Sequence, residues 1–166
     1  STGAPAACGS TGWTQPANVL NPNLERNVGL VFVGDALTRD TELAGAFSGV
    51  LEFSVNKRDV DLIIGIYELN AQGEYLNLTW WLQRASYNAD RRQRQLLQAD
   101  VPQRLTVKDT RLLGRKLAAG SRIVVTLGAI KQPDLQLNLG SGKEPSDETL
   151  ADAGEPLEIR WRGSSY

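Results

Sequence analysis

The chain contains no histidine, and that count bounds its chemistry before any motif is weighed. Ser-His-Asp and Cys-His sites need an imidazole to take up the nucleophile's proton near neutral pH. The common histidine-containing zinc sites need it as a ligand. Serine motifs offer no substitute. In Gly45-Ala46-Phe47-Ser48-Gly49, Ala46 stands where a nucleophile elbow needs its first glycine. Gly140-Ser141-Gly142-Lys143 resembles part of a phosphate loop, but Leu137 stands at the first glycine position and Glu144 at the Ser/Thr position. Both read as chance. Asp59 and Asp61, one residue apart, could supply oxygens to a hard cation. Without the fuller Asp/Asn/Gly pattern of a calcium loop, they read as carboxylates capping a turn before a strand. No pair of acids is singled out for glycoside chemistry.

The cluster that points to a surface role is Trp80-Trp81, followed by Arg84 and Tyr87. Neighbouring strand residues face opposite sides, so at most one of the two tryptophans enters the core of its own sheet. The other is left half exposed, and exposed Trp with Arg is the composition of interface anchors. Trp80, Trp81, Arg84 and Tyr87 are therefore the candidate domain-interface residues. A sugar-stacking platform would use the same side chains, and loops covering both rings are the plain alternative. Asn77-Leu78-Thr79 matches a glycosylation acceptor but falls inside an expected strand.

The wider composition sets these residues in an ordinary globular chain. Its 166 residues are enough for one domain with a sizeable core, and 41% are apolar and 22% charged. Lys and Arg number 18 against 19 Asp and Glu, so no overall field favours nucleic acid or an anionic membrane. The scattered arginines read as solvated surface and ion pairs. The single Cys8 cannot close an internal disulfide or build a Cys-x-x-Cys metal site. No cofactor site emerges. No apolar run approaches the length of a membrane span. The start, Ser-Thr-Gly-Ala-Pro-Ala-Ala-Cys, is neither an intact signal peptide nor an initiator sequence, so a processed product or fragment is expected. Nothing selects cytoplasmic over exported localisation.

The elements that would position the cluster are strands. Residues 1–27 are rich in Gly, Pro, Ala, Thr and Asn, which predicts an irregular lead-in, with Trp13 and Leu20 pinning parts of it. The domain proper spans 28–166. Val28, Leu30 and Phe32 alternate, as do Leu51, Phe53 and Val55. The run from Leu62 to Tyr67 is apolar on both faces, as a buried central strand requires. A turn at Asn70-Ala71-Gln72-Gly73 returns the chain into Tyr75–Leu82. Residues 88–100 read as a long polar connection and Leu112–Ala119 as a short turn. Strands are expected around Leu105 and Val107, around Ile123, Val125 and Leu127, around Leu135, Leu137 and Leu139, and around Leu157, Ile159 and Trp161. Many short strands with long connections predict an all-β sandwich of Greek-key or jelly-roll type.

In order along the chain, several stretches resemble the C-terminal domain of the X-Pro dipeptidyl-peptidase, cocaine esterase and α-amino acid ester hydrolase family. They are Leu37–Gly45, Ser54-Val55 with Asp59–Leu62, Tyr67–Gly73, Leu82–Tyr87, Leu117–Ile123, Leu137–Gly142 and Ser165-Tyr166. The resemblance implies a jelly-roll β-sandwich, galactose-binding-domain-like, packed on an α/β-hydrolase catalytic domain of the same parent chain. The family's catalytic Ser, Asp and His belong to that other domain, so no catalytic residue is carried onto this sequence. The implied role is an accessory domain of a serine hydrolase acting on acyl bonds, supporting the catalytic domain and bordering its active-site entrance. An exposed docking face would allow self-association. A carbohydrate-binding module on the same fold is the alternative.

Overall fold

The computed structural model describes residues 20–21, 24, 29–131 and 135–162. Ten strands carry the fold: β1 (Leu20–Asn21), β2 (Leu30–Val33), β3 (Thr41–Gly45), β4 (Gly49–Val55), β5 (Asp61–Leu69), β6 (Tyr75–Arg84), β7 (Gln103–Val107), β8 (Leu113–Leu117), β9 (Arg122–Ala129) and β10 (Ile159–Trp161). Helical structure among the described residues is limited to single 3₁₀ turns at Ala85–Tyr87, Pro145–Asp147 and Leu150–Asp152. None of these turns is long or apolar enough to cross a membrane.

The long, apolar β5 occupies the centre of a five-stranded antiparallel sheet ordered β1-β6-β5-β9-β2. Its position follows from its sequence, because Leu62, Ile64 and Gly65 are buried and a strand covered on both faces has no use for alternation. The turn into β6 is built by Asn70, whose side-chain oxygen accepts from the N–H groups of Gln72 and Glu74. A register shift between Ile66 and Tyr67 adds local twist to the hairpin.

The second layer is a three-stranded sheet ordered β10-β4-β7, and β3 pairs with β8 as a two-stranded ribbon. Register places Ile64 between Trp81 of β6 and Leu127 of β9 on one face of the large sheet. Those three side chains share a single core with Phe53 and Val55 of β4 and Leu105 and Val107 of β7. The molecule is therefore an all-β sandwich whose core lies between its two larger sheets. Phe53 is fully buried and stacks obliquely on Trp161, with ring centroids 5.6 Å apart. Burying each large apolar side chain of this kind contributes about 1.5–3 kcal/mol.

Two local expectations need correction. Leu112–Ala119 holds a strand rather than a turn, because residues 113–117 pair with Thr41–Gly45 and Leu117 is fully buried. Leu113–Leu117 carries no apolar alternation of its own, and a partner strand decided the outcome. The Leu135, Leu137, Leu139 alternation forms no strand. Leu137 is half exposed and the Leu139 N–H donates to the Glu148 side chain instead of a neighbouring strand. Within 1–27, only Leu20–Asn21 and Leu24 are described. Leu20 pairs with Leu76 across β6, while Trp13 and Cys8 lie outside the described residues.

Candidate docking face and the loop network beneath it

The two adjacent tryptophans separate as strand geometry demands. Trp81 points into the core, is 6% exposed, and donates its indole N–H to the Lys108 carbonyl at 3.1 Å. Trp80 lies opposite Gly65 on the outer face of the large sheet and is half-buried. Its ring is covered by the Arg111 guanidinium, 4.0 Å from the ring centre, a cation–π contact on a mostly exposed arginine. The connection between β7 and β8 thus grips β6 from both faces, with Lys108 on one tryptophan and Arg111 on the other. Tyr87 closes the 3₁₀ turn that follows β6 and is half-buried.

Arg84 faces Asp61 across the last rung of the β5–β6 ladder. Its Nε and Nη2 both donate to the carboxylate at 2.8 Å, the bidentate geometry that only arginine provides. That bond, with burial acting against it, raises the Arg84 pKa further. Asn138 also donates to Asp61, at 2.8 Å. Of the four candidate interface residues, Trp81 is therefore buried in the core, while Trp80, Arg84 and Tyr87 are half-buried, Trp80 against Arg111 and Arg84 against Asp61.

Asp59 anchors a second arginine. Its buried carboxylate accepts from the N–H groups of Val60 and Ser86, the Ser86 hydroxyl at 2.7 Å, and Arg94 Nη2 at 3.0 Å. Arg94 continues to the Gly142 carbonyl and to Glu144 at 3.1 Å. One guanidinium therefore joins the segment before β5, the turn after β6 and the Gly-rich loop. Both aspartates have nitrogen partners, and no cluster of potential metal ligands occurs among the described residues.

The Gly140-Ser141-Gly142-Lys143 stretch does form an anion-holding loop, and its anion is internal. Glu148 accepts from the N–H groups of Leu139 at 2.6 Å and Ser141 at 2.9 Å, and from the Ser141 hydroxyl. Gly140 has φ +75°, and a Cβ there would lie 2.7 Å from Lys57 Cβ and 2.8 Å from the Asp59 carbonyl. Only glycine lets the loop approach so closely. Lys143 then pairs with Asp152 at 2.6 Å, and Asp152 also accepts from the Thr149 N–H and hydroxyl. Lys143 first, then Thr149, lower the Asp152 pKa to about 2. Asp152 raises that of Lys143.

Arg94, Arg111, Asn138 and Glu148 were not marked by the sequence. Arg94 sits in a polar stretch with no periodicity, and its role depends on three loops meeting. A cleft of about 280 Å³ borders the network, walled by Ile130, Leu137, Leu139 and Leu157, and no aromatic ring lines it.

Three solved structures share this architecture. An α-amino acid ester hydrolase superposes with a TM-score of 0.73 at 18% identity, covering 80% of this chain and 23% of its own. An aminopeptidase from the marine sediment archaeon Thaumarchaeota archaeon gives 0.68 at 17%, covering 80% and 23%. A CocE/NonD family hydrolase from Staphylococcus aureus gives 0.57 at 16%, covering 89% and 30%. The chain thus spans less than a third of the length of each. No curated protein sequence matches it. The sequence model of the X-Pro dipeptidyl-peptidase C-terminal non-catalytic domain matches residues 3–156. A sandwich shared with parts of larger hydrolases and a family match over nearly the whole sequence lead to one assignment: the chain belongs to the X-Pro dipeptidyl-peptidase C-terminal non-catalytic domain family.

Proposed function

We propose that this chain serves as the accessory domain of a serine hydrolase of α/β-hydrolase type acting on acyl bonds. In this reading it packs on the catalytic domain of the same parent chain, supports it, and borders the active-site entrance. The observation that carries the reading is the family match over residues 3–156. A sequence with no histidine cannot supply the general base of such an enzyme by itself, so the chemistry falls to the partner domain. Trp80, Arg84 and Tyr87, the three interface candidates that are half-buried rather than buried, are the proposed contacts. Trp80 is held in place by Arg111, and a preoriented aromatic ring costs less to order on docking.

The test is to make the parent hydrolase with and without this domain and to add the domain back in trans. Loss of activity or solubility on removal, recovered by the added domain and weakened by Trp80→Ala, is the expected result. A catalytic part that is fully active and stable alone, and that never associates with this chain, would sink the reading.

A further inference from the structure

We infer that the outer edge of β2 is the seam along which an extended, apolar segment of the parent's catalytic part adds as a further strand. This deepens the accessory-domain reading and rests on it. β2 is the last strand of the large sheet, with β9 on one side and no neighbour on the other among the described residues. The Gly34 N–H donates to the Ile123 carbonyl at 2.9 Å, in register with the β2–β9 ladder. Alternation of ladder bonds then turns the Leu30 and Phe32 backbone groups toward β9, and those of Val31 and Val33 outward.

The side chains match this opening. Leu30, Val31, Phe32 and Val33 are exposed by 38, 43, 55 and 53%, so both faces of the strand stand open. Free edges are ordinarily guarded by Lys, Pro, bulges or inward charges, and Leu30–Val33 contains none of these. The strand is also fixed at both ends. Gly29, at φ +83°, lies against β9 so closely that a Cβ would meet the Leu127 carbonyl at 2.6 Å, and Arg122 Nη1 donates to the Gly34 carbonyl at 2.9 Å. An apolar, uncharged and preorganised edge is a template for strand addition, with main-chain bonds giving affinity and alternate side chains the fit.

The occupant follows from the chain's place among its relatives. The solved relatives are far longer, with this chain spanning 23 to 30% of them. The family is defined as a C-terminal domain, so the remainder of such a protein arrives from the N-terminal side. β2 is the first of the longer strands on that side.

The experiment is hydrogen exchange on the full-length parent hydrolase, resolved at the amides of Val31, Phe32 and Val33. It is repeated with Val33→Lys and with Val31→Pro, which removes an outward N–H and leaves the bonds to β9 intact. Protection of Val31 and Val33 matching that of Phe32, lost from the remaining outward amide in either variant while Phe32 stays protected, is the expected result. Free exchange at Val31 and Val33 beside a protected Phe32 would overturn the proposal. So would protection that appears only as the parent doubles in mass, since the occupant would then be a second copy. If Val31 and Val33 exchange freely while the domain still binds the catalytic part in trans, only the edge assignment fails. If the two parts never associate, the accessory-domain reading fails with it.

Discussion

Trp80 and Trp81 show how much one strand position decides. They are chemically identical neighbours, yet Trp81 fills the core and Trp80 lies on the outer face under Arg111. Asp59 and Asp61 show the same at the level of charge. Each was legible as a turn-capping carboxylate, and each also holds a half-buried arginine: Asp61 holds Arg84, marked for a different role, and Asp59 holds Arg94, which the sequence did not mark. Breaking a buried pair from one side leaves the other charge without compensation in a low dielectric. Asp59→Ala should therefore destabilise the domain by about 3–5 kcal/mol. The readout is the denaturant midpoint, and a loss below about 1 kcal/mol would mean that water already reaches Arg94.

At the scale of elements, the loop from Asn138 to Asp152 is held by its own acids. Asp152 has a pKa of about 2, against an ordinary 3.8. A group whose pKa falls on folding contributes stability that is complete above its unfolded value and is lost as pH drops through the folded one. The Thr149–Asp152 turn should therefore hold at pH 5 and loosen as pH falls from about 4 to about 2. The raised Lys143 pKa acts in the other direction, keeping the contact below 10.5 and releasing it in strong base. Hydrogen exchange at residues 149–153 against pH checks this. Asp152→Asn should remove the acid limb, and an unchanged profile in that variant would assign the limb to another group. The β3–β8 ribbon makes a related point. Its strands became legible only in each other's presence, because Leu113–Leu117 has weak strand propensity of its own.

For the whole molecule, one core serves both larger sheets, so they should not unfold separately. Phe53, fully buried on β4 and packed with the inner face of the large sheet, is the test position. Phe53→Ala should cost about 3–5 kcal/mol. Tryptophan fluorescence, summed over the four tryptophans, and far-ultraviolet dichroism should still report coincident transitions. Two separated transitions would mean that the sheets are independent units. The Leu30–Val33 edge belongs to this scale as well, since its exposure depends on which strand ends the sheet.

By itself, the sequence determined that this chain carries no histidine-based chemistry. It also marked the run of Leu62–Tyr67 as a central strand, Asn70–Gly73 as its turn and at most one of the two tryptophans as core. These are local matters: residue inventory, the two-residue period and the hydrogen-bonding reach of a single side chain. It read the glycine loop as no phosphate site, for want of two motif residues. Only the tertiary structure showed that Glu148 fills that loop, that Arg94 joins three segments, and that Leu135–Leu139 finds no strand to pair with. It also made Leu113–Leu117 a strand. Those outcomes depend on partners distant in sequence, such as Asp59, 35 residues from Arg94, and Glu144, 50 residues from it, or on a loop closing on itself. An alternating pattern specifies which residues could face a neighbour, but the folded chain decides whether a neighbour is there.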